Sequence, residues 1–196
     1  MNDLLRLAHA GARAGAWFGG GLTILAAALI GVDIFLRKVF VLSIGGASEV
    51  SGYVLAIGSA WGFALALLNR AHIRIDSLYV VLPTRLCAIL DVLSLTALAA
   101  FVAMLTWQAS HVFGQSYSLG SRALTPLATE LMYPQFLWLA GLVYFLLVNA
   151  LLLVRALTAL VVGDIDTVQR IAGSRTALQE VKEEIEGRRG GLETAP

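Results

Sequence analysis

Cysteine occurs once in the 196 residues, at Cys87. A single thiol excludes an intramolecular disulfide and any cysteine-based metal cluster, and its expected role is that of a small buried hydrophobe. Charge is also scarce. Asp, Glu, Lys and Arg make up 14% of the chain, against about a quarter in a soluble domain. The formal net charge of +1 offers no basic surface for nucleic acid. The phosphate-binding pattern GxxxxGK[ST] is missing, as are the HExxH motif and the nucleophile elbow. No pair of helices broken by Gly or Pro marks a midplane substrate site.

Hydrophobic residues make up 58% of the chain, and its mean hydropathy is +0.79. Four apolar segments stand out, at about 14–36, 50–68, 86–112 and 134–162. They are continuous, not alternating, and exceed the roughly ten residues of a barrel strand. In lipid, a helix satisfies each backbone N–H and C=O within its own segment. The sequence therefore predicts an all-α integral membrane protein with four transmembrane helices. Arg6 and Arg13 precede a first run too long for a signal peptide's core, so that run is expected to stay as a mature helix. The expected organisation is an N-terminal segment at 1–13, a membrane domain at 14–162 and a tail at 163–196.

Orientation follows from the basic residues. With the N-terminus inside, eleven of the fourteen Lys and Arg fall on the inner side, and only Arg37, Lys38 and Arg122 on the outer. The asymmetry favours both termini in the cytoplasm. Phe40, Tyr53, Trp107, Phe113, Tyr117, Tyr133 and Trp138 then form an outer aromatic belt, with Trp17 and Tyr79 inside. His72 and His111 fall on opposite sides, so the histidines cannot share a haem or a metal. Trp61 lies mid-membrane and needs a protein neighbour for its indole N–H.

The stretch 46–83 is the most informative. Between Val50 and Leu68 it carries no charge, and these nineteen residues rise about 28 Å, close to one bilayer crossing. Glu49 and Tyr53 mark its entry; Arg70, His72, Arg74 and Asp76 mark its exit, and Pro83 closes it. Before it, Asp33 and Arg37 are four residues apart and can pair at the end of the first helix. Asp91 reads as a first-turn acid of the third helix, near Arg85. Gly11, Gly15 and Gly19 recur at four-residue spacing, and Gly58 and Gly62 repeat the pattern in the second helix. Such rows allow close helix approach, either within this bundle or against a partner subunit. The outer loop at 114–133 contains Ser121, Arg122 and Glu130, and is either a connector or a docking edge. The fourth segment, if helical throughout, runs about 43 Å and must tilt or project. In the tail, Thr176 and Gln179 fit a capping box that opens a short amphipathic helix ending at Gly187.

The order of these features carries a resemblance. Arg37 ends helix one, GASEV (46–50) opens helix two, HIRID (72–76) follows it, and Leu82 and Pro83 precede helix three. Over about residues 10–162 the chain resembles the small membrane subunit of tripartite ATP-independent periplasmic (TRAP) transporters, the DctQ-like family. The resemblance implies a system that imports an organic acid on a sodium gradient. A periplasmic binding protein delivers the solute to a large elevator-type subunit, which holds the substrate and sodium sites. The small subunit would be a static companion in the bacterial inner membrane, not an enzyme, with long tilted helices and no substrate site or cofactor of its own. Its partners would be the large permease, the binding protein and membrane lipid. Arg37 and Glu49 would form a salt bridge at the outer corner, and His72 and Asp76 would hold the inner turn; ordinary interfacial anchoring is the alternative for both. Competing readings are a stand-alone proton-coupled exporter using Asp33 or Glu49, a redox-complex anchor, and an assembly or signalling protein. The substrate stays open among C4-dicarboxylates, keto acids and sugar acids.

Overall fold

The structure is a computed structural model and describes residues 2–70 and 82–172. Its elements are α1 (Asn2–Phe40), α2 (Ala47–Leu68), α3 (Thr84–Leu119), α4 (Met132–Val162) and α5 (Ile165–Ala172). The first four are long and apolar enough to cross a membrane. Among the described residues there is no strand beyond one isolated bridge, between Arg122 and Glu130. With 39, 22, 36 and 31 residues, the four helices rise about 58, 33, 54 and 46 Å. All four exceed the roughly 30 Å of hydrocarbon, α2 only slightly, and the other three must tilt or project well beyond it.

Helix ends differ from the apolar runs in instructive ways. α1 begins at Asn2, well before Ala14, because Leu, Ala and Arg in 4–13 are strong helix formers. Charge ends an apolar run without ending a helix. α3 continues through Gly114 and Tyr117 to Leu119, so the loop shortens to 120–131. Gly120 terminates it, with φ +59 and a hydrogen bond from Ser121 N–H to the Ser116 carbonyl. α3 starts at Thr84 behind Pro83, whose carbonyl accepts from the Leu86 and Cys87 amides at 2.9 and 3.2 Å. Asp91 therefore stands two turns into α3, where it is buried while Arg85 is exposed. Its placement as a first-turn acid is corrected.

α4 ends at Gly163, φ +81, in a Schellman pattern: Gly163 N–H bonds Leu160 and Asp164 N–H bonds Ala159. Asp164 then caps α5, accepting the Thr167 amide at 3.0 Å. This short amphipathic helix, which the sequence expectations did not include, has Val168 fully buried, and Gly163 and Asp164 are the stop and cap signals that mark its start. The helix expected from Thr176 lies outside the described residues, as do His72, Arg74 and Asp76.

The chain divides into two compact units, 1–69 with 96–151, and 70–95 with 152–196. In the first, Ala60, Ala109 and Leu142 form a buried cluster with Leu105, Trp138 and Leu139 packed on it. In the second, Ala88, Val92 and Leu95 on α3, and Leu152, Ala156 and Ala159 on α4, are buried at three- and four-residue spacing.

Candidate functional site

The polar side chains of the first unit collect where α1 turns into α2. Asp33, 4% exposed, is the centre of that turn. Its Oδ2 accepts from Arg37 Nη2 at 2.6 Å, and its Oδ1 from Ser43 Oγ at 3.0 Å and the Ile44 amide at 2.7 Å. Ser43 Oγ also accepts from Arg37 Nη2 and the Gly45 amide, at 3.1 and 3.2 Å. A helix-end carboxylate thus organises the whole turn. The backbone there is tight: Gly45 has φ +74, and the β-branched Val41 has φ +56.

Glu49 lies in the first turn of α2 and faces another direction. Its Oε1 accepts from Tyr53 OH at 2.8 Å, and its Oε2 from the Thr125 hydroxyl. Thr129 is a further polar neighbour of this carboxylate. Thr125 and Thr129 belong to the α3–α4 loop, a miniature hairpin. Arg122 and Glu130 pair across it, Ala123 N–H bonds the Thr129 carbonyl, and Leu131 N–H bonds the Ser121 carbonyl. Pro126 sits at the second position of its turn, where its fixed φ is favourable. Pro126 and Leu127 rest on the glycines of the other turn: a Cβ on Gly46 would come within 3.2 Å of Leu127. One cap therefore joins 41–49 with 120–131.

The expected Arg37–Glu49 salt bridge is replaced by two separate assemblies. Arg37 turns back to Asp33, as their spacing allows, and Glu49 reaches the loop. Ser121, Arg122 and Glu130 come together in the hairpin. Arg70, at φ +54, donates Nη1 to the Gln169 carbonyl at 3.5 Å within the second unit.

Below the cap, the glycine row of α1 meets α2 and α4. A Cβ on Gly19 would stand 2.8 Å from the Gly58 Cα, and one on Gly15 would stand 2.7 Å from the Trp61 ring. One on Gly11 would stand 2.5 Å from the Tyr144 hydroxyl. Trp61 is the hub. It stacks on Tyr144 at 5.9 Å, meets Phe18 edge-on at 6.2 Å, and donates its indole N–H to the Leu137 carbonyl at 3.1 Å. Tyr144 OH in turn donates to the Ala8 carbonyl at 2.7 Å. These contacts answer the packing question for Gly11, Gly15, Gly19 and Gly58. Gly62 differs, since a Cβ there would meet nothing within 4 Å. Asn149 escaped the sequence reading. It is fully buried in α4, and neither of its side-chain polar atoms has a hydrogen-bond partner. A lone amide in a long apolar run was the available signal.

These features define a multi-pass, all-helical membrane protein whose named polar groups mostly hold its own helix ends together. The family model described as "Tripartite ATP-independent periplasmic transporters, DctQ component" matches residues 26–159. The chain belongs to this family and is the small membrane subunit of a TRAP transporter. The matched span contains Asp33, Arg37, Glu49, Trp61, the loop hairpin and Tyr144; Gly11, Gly15, Gly19 and α5 lie outside it. Comparisons with curated proteins and with solved structures gave no match.

Proposed function

We propose that this subunit is the stationary scaffold of a sodium-coupled importer of an organic acid in the bacterial inner membrane. Its large partner would carry the substrate and sodium sites and move as an elevator. Both termini would lie in the cytoplasm, with the cap on the periplasmic side. Family membership supports this reading, and the cap carries it: an elevator needs a fixed reference, and Glu49 ties two separate helix connections into one body. The exposed apolar faces of α1 and α3, including Leu7, Trp17, Ile24, Phe101, Met104 and Trp107, suit lipid and a large membrane partner. The loop hairpin, with Leu124 fully exposed beside the Arg122–Glu130 pair, suits the binding protein delivering solute.

The stand-alone exporter reading asks for an acid free to take and release protons in mid-membrane. Asp33 and Glu49 lie near helix ends and are each held by several donors. Co-expression with the large permease tests the proposal. A stable one-to-one complex is expected, with liposome uptake requiring both subunits, the binding protein and a sodium gradient. Proton-driven transport by this chain alone overturns it, as does full uptake without this chain.

A further inference from the structure

Between the last turns of α1 and the start of α2 lies a cleft of about 660 Å³, within the size range of small-molecule sites. Ile30 and Ile34 form an apolar wall, while Arg37, Lys38 and Ser48 line its polar side together with Asp33. The Asp33 carboxylate is already saturated by Arg37, Ser43 and Ile44. Arg37 commits only Nη2 to that network, and its side chain remains 66% exposed. Lys38 has no carboxylate partner among the described residues. Two cations thus face one satisfied carboxylate, and the cleft carries a net positive charge.

The surroundings fix the level in the bilayer. Phe35, Val39, Phe40, Val41 and Leu42 are all exposed around the two cations, at the end of a membrane-crossing helix. Apolar side chains so placed sit against acyl chains, and the adjoining Lys and Arg reach headgroup level. α2 begins there without a side-chain cap, so its dipole adds positive potential at the same spot. The geometry points to a binding site for one anionic phospholipid, its phosphate diester on Arg37 and Lys38 and its glycerol end over Ile30 and Ile34. Asp33 positions Arg37 for this contact.

Native mass spectrometry of the full chain, alone and with its large partner, tests the assignment with dioleoylphosphatidylglycerol as probe. Wild type is expected to retain the lipid and to melt higher in its presence. Lys38→Gln should lower retention roughly fivefold, the effect of one basic residue at an anionic surface. Its lipid-free melting point should not change. Ile34→Trp should block the cleft and lower retention while keeping both cations. Equal retention by Lys38→Gln and wild type overturns the proposal. So does equal protection by dioleoylglycerol, which lacks the phosphate, or by inorganic phosphate, which lacks the chains. Loss of the lipid on complex formation would assign the cleft to the partner protein and overturn it too.

Discussion

Glu49, in the first turn of α2, accepts a hydrogen bond from the hydroxyl of Thr125, 76 residues further along the chain. This contact, with the packing of Pro126 and Leu127 on Gly45 and Gly46, makes the two helix connections at this end one structure. Replacing Glu49 with Ala should free the loop hairpin. Hydrogen exchange should speed up at the Ala123 and Leu131 amides, while α4 amides near Leu142 keep their protection. Unchanged loop protection would show that Pro126 and Leu127 hold the cap without the carboxylate.

Two glycines on α1 and α2 should respond in opposite ways. At Gly19 an added methyl meets the Gly58 backbone, which cannot yield as a flexible side chain would. Gly19→Ala should destabilise the isolated chain by about 1–3 kcal/mol, as overpacking does. At Gly62 the space is open, so Gly62→Ala should be neutral or stabilising by up to about 1 kcal/mol through helix propensity. Thermal melting in detergent compares them directly. Loss of partner binding by Gly62→Ala, without loss of stability, would place Gly62 at the interface between subunits.

Trp61→Phe retains an aromatic ring beside Tyr144 and removes the indole N–H to Leu137. The expected cost is about 0.5–1.5 kcal/mol for the hydrogen bond, plus lost area. Trp61→Ala should cost about 3–5 kcal/mol, since Gly15 and Gly141 are both shaped to the ring. Denaturant titration with a helicity readout measures both.

Val41 holds a left-handed conformation in which a β-branched side chain is strained, and it is almost wholly exposed. Val41→Gly should relieve roughly 1–2 kcal/mol. A higher melting point is the expected result. A lower one would mean that the side chain is needed against lipid.

Asn149 is enclosed with its amide unpartnered, a condition that costs about 1–3 kcal/mol. Asn149→Leu, which keeps the branched shape with slightly bulkier ends, should therefore raise stability by up to an amount of that order if the site is dry and the neighbours yield. Destabilisation would reveal an ordered water serving the amide.

How much of this was legible differs by feature. α2 is read to the residue at Leu68, where Asn69 follows both the apolar run and the helix, and to within three residues at its start, because Ala47, Ser48 and Glu49 are helical ahead of the uncharged run. α1 and α3 overrun their apolar segments, because helix propensity persists where hydropathy stops. The Asp33–Arg37 pair follows from helical spacing alone. The Glu49–Thr125 contact has no such periodicity, since it joins α2 to the loop beyond α3. Its signal was an acid opening a membrane helix with no base within four residues. The need of Trp61 for an acceptor was readable, but the carbonyl that meets it depends on how α4 lies against α2.

The cap also sets an order of events during synthesis. Glu49 leaves the ribosome 76 residues ahead of Thr125, an interval of roughly 4–15 s at ordinary elongation rates. Over that time α1 and α2 can enter the bilayer as a hairpin, with the Asp33 turn complete and the Glu49 carboxylate served only by Tyr53. The last pair of spanning helices then closes the structure. A nascent chain stalled before Thr125 therefore holds Glu49 with Tyr53 as its hydrogen-bond donor and the cap still open.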